Sequence, residues 1–365
     1  MRQPITSDSL HPPGTWDEVV HLIPSLDWGD HAFHMRTVIH ALAPDVTSTV
    51  HTMFEPLRAN EGEIPVFHQQ VRSPFDLPSL WKLAKRLEAT SSLVITWGRA
   101  NRVMLGFWRL GIRPVRWLAT AVGDLLLPQV PEVGQLQLGY DGDEGTHNGA
   151  LRSPQAKLGY RVHPAVEDAT TTRGTIRQQL GLPMDSKLVG MAGSLGPEDH
   201  LKDAIWAADL LKVVRDDVHL LLIGNGPDRW RWEKFRRAVQ IEDRVHFLEP
   251  SDPESVISGL DCYWAPGRVP RLGWGLLVAA NAGVPIVAAR QGEPARLLAP
   301  LEAECLFEPG DRAGLARLTT RIFDEADVAA RVHEGMQSDF RQRWQVTPGW
   351  ERTILQLTRS LIPSK

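Results

Sequence analysis

The sequence predicts a two-domain α/β protein with a nucleotide-binding unit in its second half, and three observations predict it. The run Leu220-Leu221-Leu222-Ile223 has no polar alternation, the pattern of a parallel strand covered on both faces, and Gly224-Asn225-Gly226-Pro227 follows it directly. A glycine turn there frees backbone N–H groups at the head of a helix, where an anion would sit. The run Gly283-Val284-Pro285-Ile286-Val287-Ala288-Ala289 repeats the idea after a helix of small residues. Finally, 365 residues exceed one ordinary core, and a prior of roughly 150 residues per domain gives two.

Taken in order, residues 1–15 are proline-rich and polar and read as a lead-in. Val19-Val20-His21-Leu22-Ile23-Pro24 is an apolar strand, and a loop carrying Gly29 and Asp30 leads into a helix over 31–42. Strand, glycine loop and helix form the opening half of a βαβ unit, whose loop faces the ligand edge of the sheet. Strands are expected at 46–53, 64–68, 92–96 and 114–121, with helices at 77–89 and 101–110; this alternation is that of a doubly wound domain. Residues 128–149 interrupt it with prolines, glycines and the acidic cluster Asp141-Gly142-Asp143-Glu144-Gly145. Its spacing does not match a calcium loop, so a solvated loop is expected. Residues 160–164 read as a short strand ending at an interdomain turn.

The second half alternates more regularly. Helices are expected at 171–182, 201–214, 228–239, 253–260 and 273–282, and strands at 187–193, 218–223, 245–248, 262–265 and 285–289. Helices over 312–325 and 326–347 follow, and Pro348-Gly349 precedes a last helix to 361. The expected domains are 1–168 and 169–347, with 348–365 as a C-terminal helical segment.

Composition bounds the function. The chain is 42% hydrophobic and 23% charged, which is globular. Its net charge of −4 removes the broad electrostatic case for nucleic acid. No run of about 18 apolar residues is present and the N-terminus has no apolar signal core, so a cytoplasmic location is expected. Cys262 and Cys305, both in apolar contexts without CxxC spacing, read as buried thiols.

Several stretches together resemble the GT-B glycosyltransferases of the family 4 type, and the resemblance covers nearly all of the chain. They are His21-Leu22-Ile23-Pro24-Ser25-Leu26-Asp27 with Gly29, Val162-His163-Pro164 with Val166-Glu167-Asp168, Leu222-Ile223-Gly224-Asn225-Gly226-Pro227, Val245-His246-Phe247, Gly273-Trp274-Gly275-Leu276 and Gly283-Val284-Pro285-Ile286-Val287-Ala288. The resemblance implies two Rossmann-like domains facing across a cleft, with 169–347 holding a nucleotide sugar, UDP- or GDP-linked, 1–168 facing an acceptor, and the helix in 348–365 crossing back onto the N-terminal domain. It implies no cofactor or metal, and an acceptor that is a saccharide, a lipid-linked molecule or a small molecule. The diphosphate would lie against Gly29 and Asp30 on one side and Gly224, Gly226, Gly273, Trp274, Gly275 and Leu276 on the other, where N–H groups and helix dipoles favour negative charge.

The chain also departs from that family. The two glutamates usually found eight positions apart before Gly-x-Pro are replaced by Pro270 and Val278, neither of which accepts a hydrogen bond through its side chain. In the loop Gly193-Ser194-Leu195-Gly196-Pro197-Glu198-Asp199-His200, Ser194 stands where the diphosphate-binding arginine is expected and Asp199 where the lysine is. An aspartate there would repel a diphosphate. The histidine that ends a late N-domain strand is replaced by Ala121-Val122-Gly123. Arg268, Arg271 and Lys202 are the available substitutes, since arginine forks suit phosphate; the alternative is that they are surface cations.

Other candidates have plainer readings. His31, His34 and His40 lack a completing acid and read as polar or interdomain positions. In Arg229–Arg237, helical spacing puts Trp232, Phe235 and Val239 on a core face with the cations outside. The basic, aromatic stretches 81–87 and 108–113 read as solvated helix faces rather than a membrane contact. Trp28, Trp97 and Trp274 fall at cleft loops, where indoles stack on sugars or fill cores. Function is therefore expected to be retaining transfer from a nucleotide sugar. The alternative is a catalytically silent relative that binds a sugar, nucleotide or protein, and an epimerase of the same fold ranks third. A cleft filled by Trp274, Pro270 and Val278 would favour the silent relative.

Overall fold

The structure, a computed structural model, describes residues 18–24, 29–42, 46–53, 65–69, 71, 76–88, 92–112, 117–122, 134–139, 155–159, 169–196, 199–226, 228–250, 252–267 and 272–344. The first half supplies β1 (Glu18–Ile23), α1 (Asp30–Leu42), β2 (Thr47–Thr52), β3 (Val66–His68), α2 (Leu77–Glu88), β4 (Leu93–Thr96), α3 (Arg99–Arg109), β5 (Trp117–Val122), β6 (Gly134–Gly139) and β7 (Gln155–Gly159). Its seven strands are all parallel in the order β3-β2-β1-β4-β5-β6-β7.

α4 (Ala169–Leu180) leads into β8 (Lys187–Ala192), α5 (Leu201–Val214), β9 (Val218–Ile223), α6 (Arg229–Ala238), β10 (Val245–Leu248) and α7 (Pro253–Ser258). Then come β11 (Cys262–Ala265), α8 (Trp274–Asn281), β12 (Ile286–Ala289), α9 (Gly292–Leu297), α10 (Glu302–Cys305), β13 (Leu306–Phe307), α11 (Arg312–Asp324) and α12 (Ala326–Trp344). This second parallel sheet has the order β10-β9-β8-β11-β12-β13. Chain direction along the sheet reverses between β8 and β11, so their carboxyl ends flank the crevice where open α/β sheets bind ligands.

Burial explains the strands. All six residues of β9 and all four of β4 and β12 are buried, as their unalternated apolar runs require. β1 splits its side chains by strand parity: Val20 and Leu22 pack with α2 and α3, while Val19 and Ile23 join a larger core on the α1 side that continues into the second domain. Two helix starts follow their sequence signals, with Asp252 accepting from the Ser255 N–H before Pro253 and Asp311 accepting from the Gly314 N–H. Arg177, buried on α4, ties that helix to the second sheet by donating to the Ser186 carbonyl and, at 2.7 Å, to Asp261.

Two expectations need correction. The interruption at 128–149 contains β6, whose Gly-Gln-Leu-Gln-Leu-Gly is a period-two pattern with apolar residues too few to stand out. The stretch 292–307, left without elements, holds α9, α10 and β13, all too short to show a period. The acidic cluster 141–145, the expected strand at 160–164 and the last helix lie outside the described residues.

Candidate functional site

Two glycine loops meet at the carboxyl end of the second sheet. The loop after β8 turns through Leu195 at φ 51°, in the left-handed region. Trp232 on α6 holds that turn, its Nε1–H donating to the Leu195 carbonyl at 3.0 Å. Asp199 closes the loop by accepting the Gly196 N–H at 2.9 Å, and its carboxylate lies against Gly193. The aspartate at the expected lysine position therefore works as a loop brace. After β9, Gly224 has φ 128°, a conformation other residues rarely adopt, and donates its N–H to the Leu248 carbonyl. Gly226 crosses so close to the first loop that a Cβ on it would overlap the Ser194 carbonyl oxygen. Asn225 fixes the crossing, its Oδ1 accepting the Gly226 N–H and its Nδ2 donating to Glu249.

α8 supplies the third wall. All eight of its residues are buried, and a Cβ on Gly275 would overlap the Tyr263 hydroxyl and come within 2.8 Å of the Ala192 Cβ. Glycine there lets the helix lie on β8 and β11. The Tyr263 oxygen accepts the Ala192 N–H at 3.1 Å, and burial, with the Asp199 and Asp30 carboxylates adding to it, pushes the phenol above its ordinary value. Glu293, a buried carboxylate that the sequence reading did not single out, accepts the Leu272 N–H at 2.7 Å and so anchors the approach to α8. A lone glutamate after Gly292 carries no period or motif that would flag it.

The N-terminal domain meets this corner through one face of α1. Gly29 starts that helix, its carbonyl accepting from Ala32 and Phe33. Asp30 Oδ1 accepts the Trp274 N–H at 2.9 Å, and the Phe33 ring stacks on the Trp274 indole with centroids 5.7 Å apart. Further along the same face, Arg36 and His40 act on Glu254 of α7. Burial and Asp252 push the Glu254 carboxyl up, and these two α1 groups oppose the shift. Positions 30, 33, 36 and 40 share a side at helical spacing.

Of the residues expected at the site, Ser194, Gly224, Gly226, Gly273, Trp274, Gly275 and Leu276 lie on the two loops or at the α8 head, while Gly29 and Asp30 stand at the start of α1, from which Asp30 reaches Trp274. Lys202 is exposed on the first turn of α5, whose neighbour Asp203 is held by His200 and Arg312. Arg268, Pro270, Arg271 and Trp28 lie outside the described residues. Two indoles are not available to stack on a sugar: Trp97 is fully buried and donates to His21 Nδ1 at 3.2 Å, and Trp274 is 4% exposed against Phe33. Val278 is buried in the α8 core. His34 is buried, His31 packs against Gly98, and among the described residues no group of three His, Cys, Asp or Glu is placed to hold a metal ion. Trp232, Phe235 and Val239 pack against the core as their spacing predicts. No described helix is long and apolar enough to cross a membrane.

Two parallel-sheet Rossmann-like domains make this a GT-B fold, and solved structures share it along almost the whole chain. Sucrose-phosphate synthase from Thermosynechococcus elongatus superposes with a TM-score of 0.67 at 18% identity, over 94% of this chain and 98% of that one. Anabaena HepE in complex with UDP-glucose gives 0.66 at 18% identity over the same shares. Residues 172–338 match the family described as Glycosyl transferases group 1. The 2-deoxystreptamine glucosyltransferase of Streptomyces kanamyceticus is 27% identical over 167 residues, 44% of this chain and 43% of that protein. The D-inositol 3-phosphate glycosyltransferase of Corynebacterium urealyticum is 27% identical over 244 residues, 63% and 55% respectively. The chain thus spans about half the length of these relatives.

Proposed function

We propose that the protein is a retaining glycosyltransferase that takes a sugar from a UDP- or GDP-linked donor and passes it to an acceptor hydroxyl. The observation that carries this reading is the convergence of both glycine loops and the α8 N-terminus at the crevice of the second sheet, inside the region that matches the glycosyltransferase family. Departure of the sugar leaves negative charge on the diphosphate, and prepositioned N–H donors and cations lower that barrier. Backbone N–H groups at 194–195 and at the head of α8 fill the first role; Ser194, Lys202, Arg268 and Arg271 fill the second and the hydrogen bonding around it. HepE, of like fold, has been captured with UDP and with UDP-glucose, which supports the donor class. The acceptor belongs to the N-terminal domain's side of the cleft, as a saccharide, a lipid-linked molecule or a small molecule.

Incubation with UDP- and GDP-sugars should release nucleoside diphosphate, faster when an acceptor hydroxyl is supplied. One observation favours a second reading, a binding module that has lost transfer: Asp30 and buried Trp274 fill the head of α8. Nucleotide binding without any release of diphosphate would select that reading over the first.

A further inference from the structure

We infer that Asp30 is a built-in anion that competes with the donor diphosphate for the N-terminus of α8. The inference rests on the donor-site reading above. The N-cap of α8 is Gly273, which has no side chain and so gives the first turn no side-chain cap hydrogen bond. The Trp274 N–H instead reaches a carboxylate from the other domain, 244 positions away in sequence, at 2.9 Å. A carboxylate oxygen on that N–H, in the positive field of the helix end, makes the interaction a phosphate oxygen would make.

The contact is held in register and is not one of several rotamers of a free side chain. Asp30 is the first residue of α1, and the Phe33 ring one turn later stacks on the indole of the very residue whose N–H Asp30 accepts. One and two turns further on, the charges of Arg36 and His40 act on Glu254. The Asp199 carboxylate lies in the same corner, since both it and Asp30 act on the Tyr263 hydroxyl. A diphosphate entering here meets like charge that is already hydrogen-bonded, so Asp30 must withdraw before the phosphate can take the Trp274 N–H. This contact holds α1 against α8, and nucleotide affinity is set by the exchange of one anion for another.

The test is calorimetric titration of UDP and GDP into the full chain and into Asp30→Asn and Asp30→Ala, with amide hydrogen exchange of the first turn of α8 measured without ligand. Asparagine keeps the shape and an accepting oxygen while removing the charge, so it reports even if the alanine variant folds poorly. Both variants should bind nucleotide roughly tenfold more tightly than the wild type, a loss of one competing helix-end charge, and the Trp274 amide should exchange faster in Asp30→Ala. Wild-type binding with equal or weaker binding in Asp30→Asn would overturn the competition and leave the donor site standing. No binding by the wild type or either variant would overturn the donor-site reading itself. Unchanged exchange at Trp274 would overturn the contact.

Discussion

Substituting Gly226 by alanine tests the junction on which the site depends. The added Cβ would overlap the Ser194 carbonyl oxygen and lie 2.9 Å from its carbon. Carbon pairs sit comfortably at about 3.5–4.0 Å and the overlap with the oxygen is deeper still, so the two loops must part by more than about 1 Å. The obstacle is backbone held on both sides, by the Trp232–Leu195 hydrogen bond and by Asp199 on the Gly196 N–H, so no side chain can simply swing away. Overpacking of this kind costs about 1–3 kcal/mol, and losing one of the bracing hydrogen bonds adds about 1 kcal/mol. A total near 3 kcal/mol corresponds to a Tm lowered by roughly 6–12 °C for a domain of this size. Calorimetric melting of Gly226→Ala against wild type reads that shift, and nucleotide titration of the folded fraction should show weakened binding. A melting curve and affinity equal to the wild type would refute the idea that the loops are locked together here.

Other consequences are equally open to measurement. Gly106→Ala, on a helix with nothing within 4 Å of the new Cβ, should stabilise by about 0.5–1 kcal/mol in urea titration, the opposite sign to Gly226→Ala. Burial lowers His21 from 6.5 to about 3, so its folded form binds fewer protons than the unfolded chain between those values. Its stabilisation is complete above pH 6.5 and is lost as pH falls toward 3. From pH 6.5 to 5 this amounts to about 2 kcal/mol, at 1.36 kcal/mol per pH unit. His21→Gln, which retains an acceptor for the Trp97 N–H, should therefore show a shallower decline of stability with acid; parallel declines would contradict the assignment. Arg177→Met removes a buried guanidinium from Asp261 and the Ser186 carbonyl and should destabilise by about 3–5 kcal/mol in denaturant melts.

Much of the fold is legible in the residues because burial on both faces of a parallel strand writes an unbroken apolar run. Val218–Ile223, Val245–Leu248 and Cys262–Ala265 are found where those runs place them. Gln135, Leu136, Gln137 and Leu138 form a strand with only two apolar side chains, and loop composition on either side hides it. The site divides in the same way. Gly224 and Gly226 are visible because a positive φ and a backbone crossing each demand glycine. What Asp199, Asp30 and Glu293 do is set by partners 3, 244 and 21 positions away, and only the first of these separations is local enough to read from a motif. Trp274 shows the limit most plainly. Its position beside glycines suggests a sugar platform, whereas tertiary packing gives its face to Phe33.

The central claim, that the corner formed by both glycine loops and α8 holds a nucleotide diphosphate, is tested most directly by calorimetric titration of UDP, GDP and their sugar conjugates, with Arg271→Ala beside the wild type. At least one of these nucleotides should bind with micromolar affinity, weakened when Arg271 loses its guanidinium. No binding by any of them would contradict it and leave a GT-B scaffold without a donor site.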